Sequence, residues 1–460
     1  MRSEKMYEYG HEYKELRTCN QAVESGGRYI NAQDIIVPFG YKIEIFAAGL
    51  NFPVNMVFTE NGDILIAESG YMTGVSRILR LSNGVFDIIA ENFNEPLSGI
   101  NYRNGKIYAS HRGFVTELSL DGSRKDIISG LPSNGDFVNN KVEFGPDNKM
   151  YFGQGAATNS GVVGKDNQWV LESPLLCDYP GMYIMLKGQN FETKNMLMAE
   201  GVNETALTGA FSPYGVPNIP YEIRKGLTRA TGGILRANLD GSELELYAWG
   251  LRNAVRLKFD EAERLFAASH GYDERGSRPI ANSSDQIYLI TQGQWYGWPD
   301  FTAGEPVTIP RFTPEGHKPV EFLLASHPSI PPLPFAKFPP NSTIMGFDIN
   351  YNSDFGNVND MYIAEFGSVW PNFMRFIIPN PGIGHKISRV DVFTGGTTTF
   401  AINKSGFPAS ITQEGGFGWP TDVVFGPDHA MYVVDFGSNV RNNIQEFMPH
   451  TGAIWRISRQ

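Results

Sequence analysis

The chain is poor in cysteine: Cys19 and Cys177 are the two present in 460 residues. Two thiols cannot describe a disulfide framework, so two unpaired thiols are expected, with one bridge as the alternative. No apolar stretch approaches the ~18 residues needed to span a membrane. The N-terminal run MRSEKMYEYGHEYKEL lacks the apolar core of a secretion leader. That predicts a cytoplasmic protein, or a periplasmic or secreted one whose leader has been removed. Positive charge is also short: 38 Lys and Arg face 49 Asp and Glu, a net charge of −11, which opposes nucleic-acid binding and leaves a small molecule as the expected partner. What the chain has in quantity is aromatic residues, 13%, and 50 glycines, a composition suited to many short strands and tight turns.

Six times, an apolar strand ending in an aromatic residue is followed by a polar turn, a second apolar strand, one polar side chain and a glycine. The copies run Val54 to Gly70, Leu97 to Gly113, Val138 to Gly155, Asn253 to Gly271, Ile344 to Gly367 and Thr421 to Gly437. Their anchors are Phe58, Tyr102, Phe144, Phe259, Tyr351 and Phe425. The first two intervals, 58 to 102 and 102 to 144, match a four-stranded blade of ~40 to 45 residues. Outer strands follow as alternating runs broken by Asn-Gly, Asp-Gly or Gly-Gly, dipeptides whose positive φ angles suit two-residue hairpin turns.

The pattern predicts an all-β, six-bladed β-propeller, with a seven-bladed ring as the alternative. The run from Tyr41 lacks a preceding partner strand and the run from Gly452 a following one, so pairing them would close the ring and remove exposed edges. The expected organisation is an N-terminal extension over 1–40 and one propeller over 41–460, with rim insertions at 156–229 and 301–341.

Equivalent blade positions lie at equivalent heights on such a ring. The polar side chains closing the inner pairs are Glu68, His111, Gln154, His270, Glu365 and Asp435. They read either as a metal-binding or catalytic ring around the channel or as groups that bond backbone amides at blade ends. Seven residues before the anchors stand Asn51, Glu95, Phe137, Arg252, Ile344 and Gly418. Arg252, beside Asn253, offers a fork of donors to an anionic or quinone oxygen, or to an inter-blade salt bridge.

These motifs resemble the soluble quinoprotein glucose and sorbosone dehydrogenases. The resemblance is carried by GPDNKMYFGQG at Gly145, GGILRANLDGS at Gly232, WGLRNAVRLKFD at Trp249, the SHG at Ser269, DQIYLITQGQWYGWP at Asp285 and GPDHAMYVVDFGS at Gly426. It implies a six-bladed propeller that oxidises a sugar or other alcohol with pyrroloquinoline quinone (PQQ) and Ca²⁺. It further implies that Arg252 and Asn253 contact the quinone, that the carbonyls of Gly271 and Tyr272 bind calcium beneath it, and that Gln286 and Tyr296 belong to a second, structural calcium site.

The chain departs from that family at telling places. Phe137 stands where the family has its proton-accepting His, leaving Asp136, His111 and His270 as candidate bases. Gln286 replaces a calcium-binding Glu, and AEFGSVWPN near Glu365 contains no counterpart of the cofactor-binding Lys. Three functions therefore compete: a quinoprotein dehydrogenase, a calcium-dependent lactonase or related hydrolase, and a propeller without redox chemistry that binds a ligand or catalyses a cofactor-free reaction. In the last, Phe137 with Trp295, Trp298 and Trp419 would line an apolar pocket, unless the tryptophans are blade packing.

Overall fold

Hairpin chemistry sets the local structure. Asn83 and Gly84 both have positive φ (51° and 80°) in the turn joining Arg77–Ser82 to Val85–Glu91, the geometry that matches the twist of the flanking strands. The computed structural model describes residues 22–71, 73–198, 204–368, 382–412, 414–440 and 443–460. Cys19 and most of the expected N-terminal extension lie outside the described residues. Cys177 is buried with no disulfide partner among the described residues, and burial pushes its thiol up to about 12.

The described residues are nearly all β. Their helical content is one α-helix, Ala409–Thr412, and three short 3-10 turns. No helix among them is long and apolar enough to cross a membrane.

Six sheets of four or five strands follow one another along the chain, each ordered from an innermost strand outward. The first contains Pro53–Phe58, Ile64–Glu68, Arg77–Ser82 and Val85–Glu91; the second Leu97–Arg103, Lys106–His111, Phe114–Ser119 and Arg124–Ile128. The third contains Glu143–Phe144, Lys149–Gln154, Gly233–Asn238 and Glu245–Trp249, and the fourth Ala254–Phe259, Leu265–Ser269, Asp285–Ile290 and Ala336–Phe338. In the fifth, Ile344–Ile349, Met361–Glu365, Lys386–Val390 and Thr397–Asn403 are extended by Ile35–Ile36. In the sixth, Pro420–Phe425, Met431–Asp435 and Gly452–Arg459 pair with Tyr41–Leu50, from Gly452 opposite Leu50 to Arg459 opposite Tyr41.

The innermost strands pack on one another. Pro53–Phe58 lies against Leu97–Arg103 and against Pro420–Phe425, which in turn lies against Ile344–Ile349; that strand and Glu143–Phe144 both pack on Ala254–Phe259. Ser98 Oγ donates to Asn139 O at 2.6 Å and Asn101 Nδ2 to Val142 O at 3.0 Å, joining the second sheet to the third. Between successive sheets sit apolar layers, such as Leu65, Ala67 and Ile78 against Ile100, Ile107 and Ala109. Burying both faces of every sheet is the main stabilising term, at ~25 cal/mol per Å² of apolar surface.

Three boundaries differ from expectation. Ala336–Phe338 falls inside the anticipated 301–341 insertion yet completes the fourth sheet, because proline-rich flanks disguised a three-residue strand. Ile35–Ile36, from the anticipated 1–40 extension, is built into the fifth sheet, and Arg28 of the same segment bonds Asp435 of the sixth through its side chain. The two insertions also join: Ile184–Leu186 pairs with Ile223–Arg224 on one side and with Leu324–Ser326 on the other. Together they enclose an apolar layer that includes Phe211, Trp249, Trp295, Trp298, Phe312 and Leu323.

Candidate functional site

Gly155 ends the third inner pair, and its hydrogen side faces Phe137 and Asn253. A methyl group there would fall 2.2 Å from Phe137 Cβ and 2.9 Å from Asn253 Oδ1, so glycine is what lets these two residues meet. Phe137 lies with its ring centroid 4.6 Å from the Arg252 guanidinium carbon and 6.4 Å from the His270 ring centroid. Phe137, Arg252, Asn253 and His270 are thus brought together.

Every nitrogen of Arg252 is engaged. Nε donates to Asn159 O at 3.2 Å, Nη1 to Gly271 O, and Nη2 to Asp273 Oδ2. The side chain is 4% exposed. Asn253 Oδ1 accepts from Asn140 Nδ2 at 2.8 Å, while its Nδ2 faces His270 Nδ1 at 3.2 Å. His270 Nε2 lies 2.8 Å from Ile344 O. A carbonyl only accepts, so Nε2 carries the proton and Nδ1 accepts from Asn253. Neither ring nitrogen is open to a substrate, and burial holds the imidazole below its ordinary range despite the opposing charge of Asp285.

The other candidate bases are also held. Asp136 Oδ1 accepts from Asn167 Nδ2 at 2.9 Å and Trp169 Nε1 at 2.8 Å, and Oδ2 pairs with Arg275 at 2.7 Å. His111 lies in the second sheet between Phe93 and Phe114, with Nε2 on Thr116 Oγ1 at 2.7 Å, and burial lowers it to about 4.

The polar groups closing the inner pairs do not converge on one ligand. Glu68 accepts from Asn51 N at 2.6 Å and pairs with Arg77 at 3.0 Å. Gln154 bonds Pro132 O and Ser133 Oγ. Glu365 accepts from Ser388 Oγ and Gly384 N, and Asp435 from Gly418 N, Trp419 N and Arg28. For Glu68 and Asp435 the reason is the loop entering the innermost strand, whose backbone N–H groups need acceptors that these side chains supply. Of the anticipated pocket residues, Phe137 alone stands beside Arg252. Among the described residues no three His, Cys, Asp or Glu side chains gather as a metal site.

The four anticipated calcium residues do share one place. Gly271, Tyr272, Gln286 and Tyr296 line a cavity of about 20 Å³, room for one water, together with Arg252. Its donor set does not fit calcium. Calcium takes six to eight oxygens, usually with carboxylates among them. Here the Gly271 carbonyl already accepts from a guanidinium, the Gln286 amide donates to Ser284 O, and the Tyr296 hydroxyl is committed to Leu289 O at 2.9 Å. Trp295, Trp298 and Trp419 are buried packing residues, at most 2% exposed.

Sequence reasoning missed the charges that surround Arg252. Arg275 pairs with Asp136 at 2.7 Å, Asp166 at 2.6 Å and Asp273 at 3.1 Å, and Asn159 clamps the same loop by donating to Asp273 O and Arg275 O. Burial raises Asp273, but Arg252 and Arg275 outweigh it and hold the carboxyl below its ordinary range. Asp273 is half exposed, at 49%. The available signal was the loop DERGSRP, rich in charge directly after the fourth inner pair. Its partners Asn159 and Asp166 sit in an insertion with no repeat to align.

The resemblance drawn from the motifs holds. Residues 230–330 match the model of the Glucose / Sorbosone dehydrogenase family. Quinoprotein glucose dehydrogenase B of Acinetobacter calcoaceticus is 24% identical over 202 residues, a stretch covering 41% of this chain and about a third (32%) of that relative's length. Among solved structures, the PQQ domain of pyranose dehydrogenase from Coprinopsis cinerea, in its holo form, superposes with a TM-score of 0.57 at 14% identity, over 92% of this chain and 97% of that one. A calcium structure of the Trichoderma reesei family AA12 carbohydrate-active enzyme gives 0.57 at 14% identity, over 94% and 98%. The chain is therefore similar in fold to PQQ-dependent, glucose-dehydrogenase-like propellers.

Proposed function

We propose that the chain is a dehydrogenase-like propeller that takes a sugar or larger alcohol at the rim around Arg252, and that it has diverged from quinone and calcium chemistry. In this reading the six sheets are blades of one closed ring, a single domain to which residues 22–40 belong. The circuit of innermost strands and the pairing of Tyr41–Leu50 with Gly452–Arg459 support it.

The carrying observation is the committed state of Arg252. The quinone is a tricarboxylate, and the five charges at the rim are two guanidiniums, Arg252 and Arg275, against three carboxylates, Asp136, Asp166 and Asp273. Such a set carries more negative than positive charge and disfavours a trianion. The residues present do not fit the quinone any more than they fit calcium. They suit a neutral polyol better: the half-exposed Asp273 carboxylate can accept from adjacent hydroxyls, and Phe137 and Trp169 give apolar faces for ring C–H groups.

Titration of the full chain with PQQ, with and without Ca²⁺, is the deciding experiment. No quinone absorbance on the protein is expected, alongside saturable binding of a sugar or polyol by calorimetry. Stoichiometric quinone uptake with dye reduction would restore the dehydrogenase reading, which the match over residues 230–330 favours because it contains Arg252 and Asn253.

A further inference from the structure

Charged side chains on the innermost strands meet across the ring, away from the rim. Arg256 of the fourth sheet reaches Asp422 of the sixth, Nη2 to Oδ1 at 3.2 Å, passing over the fifth. It can do so because the fifth sheet presents Gly346 there: a methyl group at that position would fall 1.9 Å from Asp422 Oδ1. Lys141, just before the innermost strand of the third sheet, enters the same level beside Gly99, where a methyl group would lie 2.8 Å from Lys141 Cβ. Asn55 of the first sheet completes the level, with its amide turned onto Ile100 N and O.

The adjoining level is satisfied. Lys258 pairs with Asp348 at 2.9 Å, Asp348 Oδ2 accepts from Phe425 N at 3.0 Å, and Asn101 Nδ2 faces Glu143 Oε2 at 3.3 Å. The Arg256 level is not. Arg256 is 6% exposed, and its Nε and Nη1 are buried without a partner among the described residues, as is Asp422 Oδ2. Lys141 faces Arg256 and Asp422 with no hydrogen bond among the described residues. Lys141 and Arg256 thus share Asp422, with Glu143 and Lys258 beside them, and Arg256 keeps open N–H donors in a buried setting where an unmade hydrogen bond is unfavourable.

We propose that this level of the axis binds one small inorganic anion of the halide class, held by Lys141 Nζ and by Nε and Nη1 of Arg256. A water could fill the same donors, but only an anion also relieves the repulsion between the two cations. Burial with the neighbouring Arg256 already lowers the Lys141 ammonium to about 8, a strain that a bound anion would remove.

Two measurements on the full chain test the site. In crystals soaked in bromide, an anomalous peak is expected in contact with Arg256 Nε; a map with no peak there overturns the proposal. In thermal shift at constant ionic strength, replacing methanesulfonate by chloride should raise the melting temperature along a saturable curve. Lys141→Met, which leaves the Arg256–Asp422 pair intact, should weaken half-saturation at least tenfold. An identical chloride response in both proteins would equally overturn it. Both readouts are independent of any activity at the rim.

Discussion

Arg28 fastens the N-terminal segment to the sixth sheet, and its removal should be felt by the whole molecule. The guanidinium is 5% exposed and donates to Thr451 O at 2.8 Å, Gly416 O at 2.7 Å and Asp435 Oδ2 at 2.7 Å. Asp435 is fully buried. In Arg28→Met the carboxylate keeps its N–H donors from Gly418 and Trp419, at 2.9 Å each, but loses its counter-ion. Removing one partner of a buried ion pair costs about 3–5 kcal/mol. Against a typical total of ~5–15 kcal/mol, that is about a fifth or more of the stability. Trp455 Nε1 donates to the same Asp435 oxygen at 3.2 Å, so tryptophan fluorescence in a urea titration reads the site directly. The double variant Arg28→Met/Asp435→Asn removes the orphaned charge and should recover most of the loss. A loss under ~1 kcal/mol in the single variant, or no recovery in the double, would refute the assignment of residues 22–40 to the ring.

Other outcomes follow from the same geometry. Burial raises Glu68 from 4.5 to about 7, opposed by Arg77 and the Asn51 N–H. The folded state therefore holds that proton more tightly than the unfolded state, so its contribution is full below pH 4.5 and is lost as pH rises through about 7. Glu68→Gln should flatten the stability profile across that window, and an unchanged decline would show that another group titrates there. Asp273→Asn removes the half-exposed carboxylate at the rim and should weaken polyol binding by about tenfold or more while leaving the melting temperature within a few degrees; unchanged affinity would place the ligand elsewhere. Phe137→His restores an imidazole where a base would stand, yet Arg252 remains committed to Gly271 O and Asp273. It should give no dye reduction with PQQ and Ca²⁺, and any gain in rate would show that the lost base alone had silenced the site.

Much of the fold was legible in the chain because its signals are local. The alternation of Ile78, Leu79 and Leu81 with Arg77 and Arg80, the Asn83–Gly84 turn and the aromatic anchors each act within a few residues, so the hairpins could be written down strand by strand. Short or disguised elements escaped. Ala336–Phe338 carries no periodicity in three residues, and Ile35–Ile36 becomes a strand only because Thr397–Asn403 offers it an edge.

The site was legible in its members and not in their partners. Arg252, Asn253, Phe137 and His270 were found from repeat position and motif, and they do stand together. That Arg252 is spent on Gly271 and Asp273, and that Glu68, Gln154, Glu365 and Asp435 turn toward loop amides, depends on which way each side chain leaves its strand.

The sequence by itself determined an all-β chain of repeated hairpins and the residue types at their ends, since turn chemistry and strand alternation operate over a few residues. The tertiary structure alone decided the pairings: Arg28 meets Asp435 across 407 positions, and Arg256 meets Asp422 over an intervening sheet. Charges separated so far along the chain become neighbours only when the sheets pack, and their strength comes from the burial that packing creates.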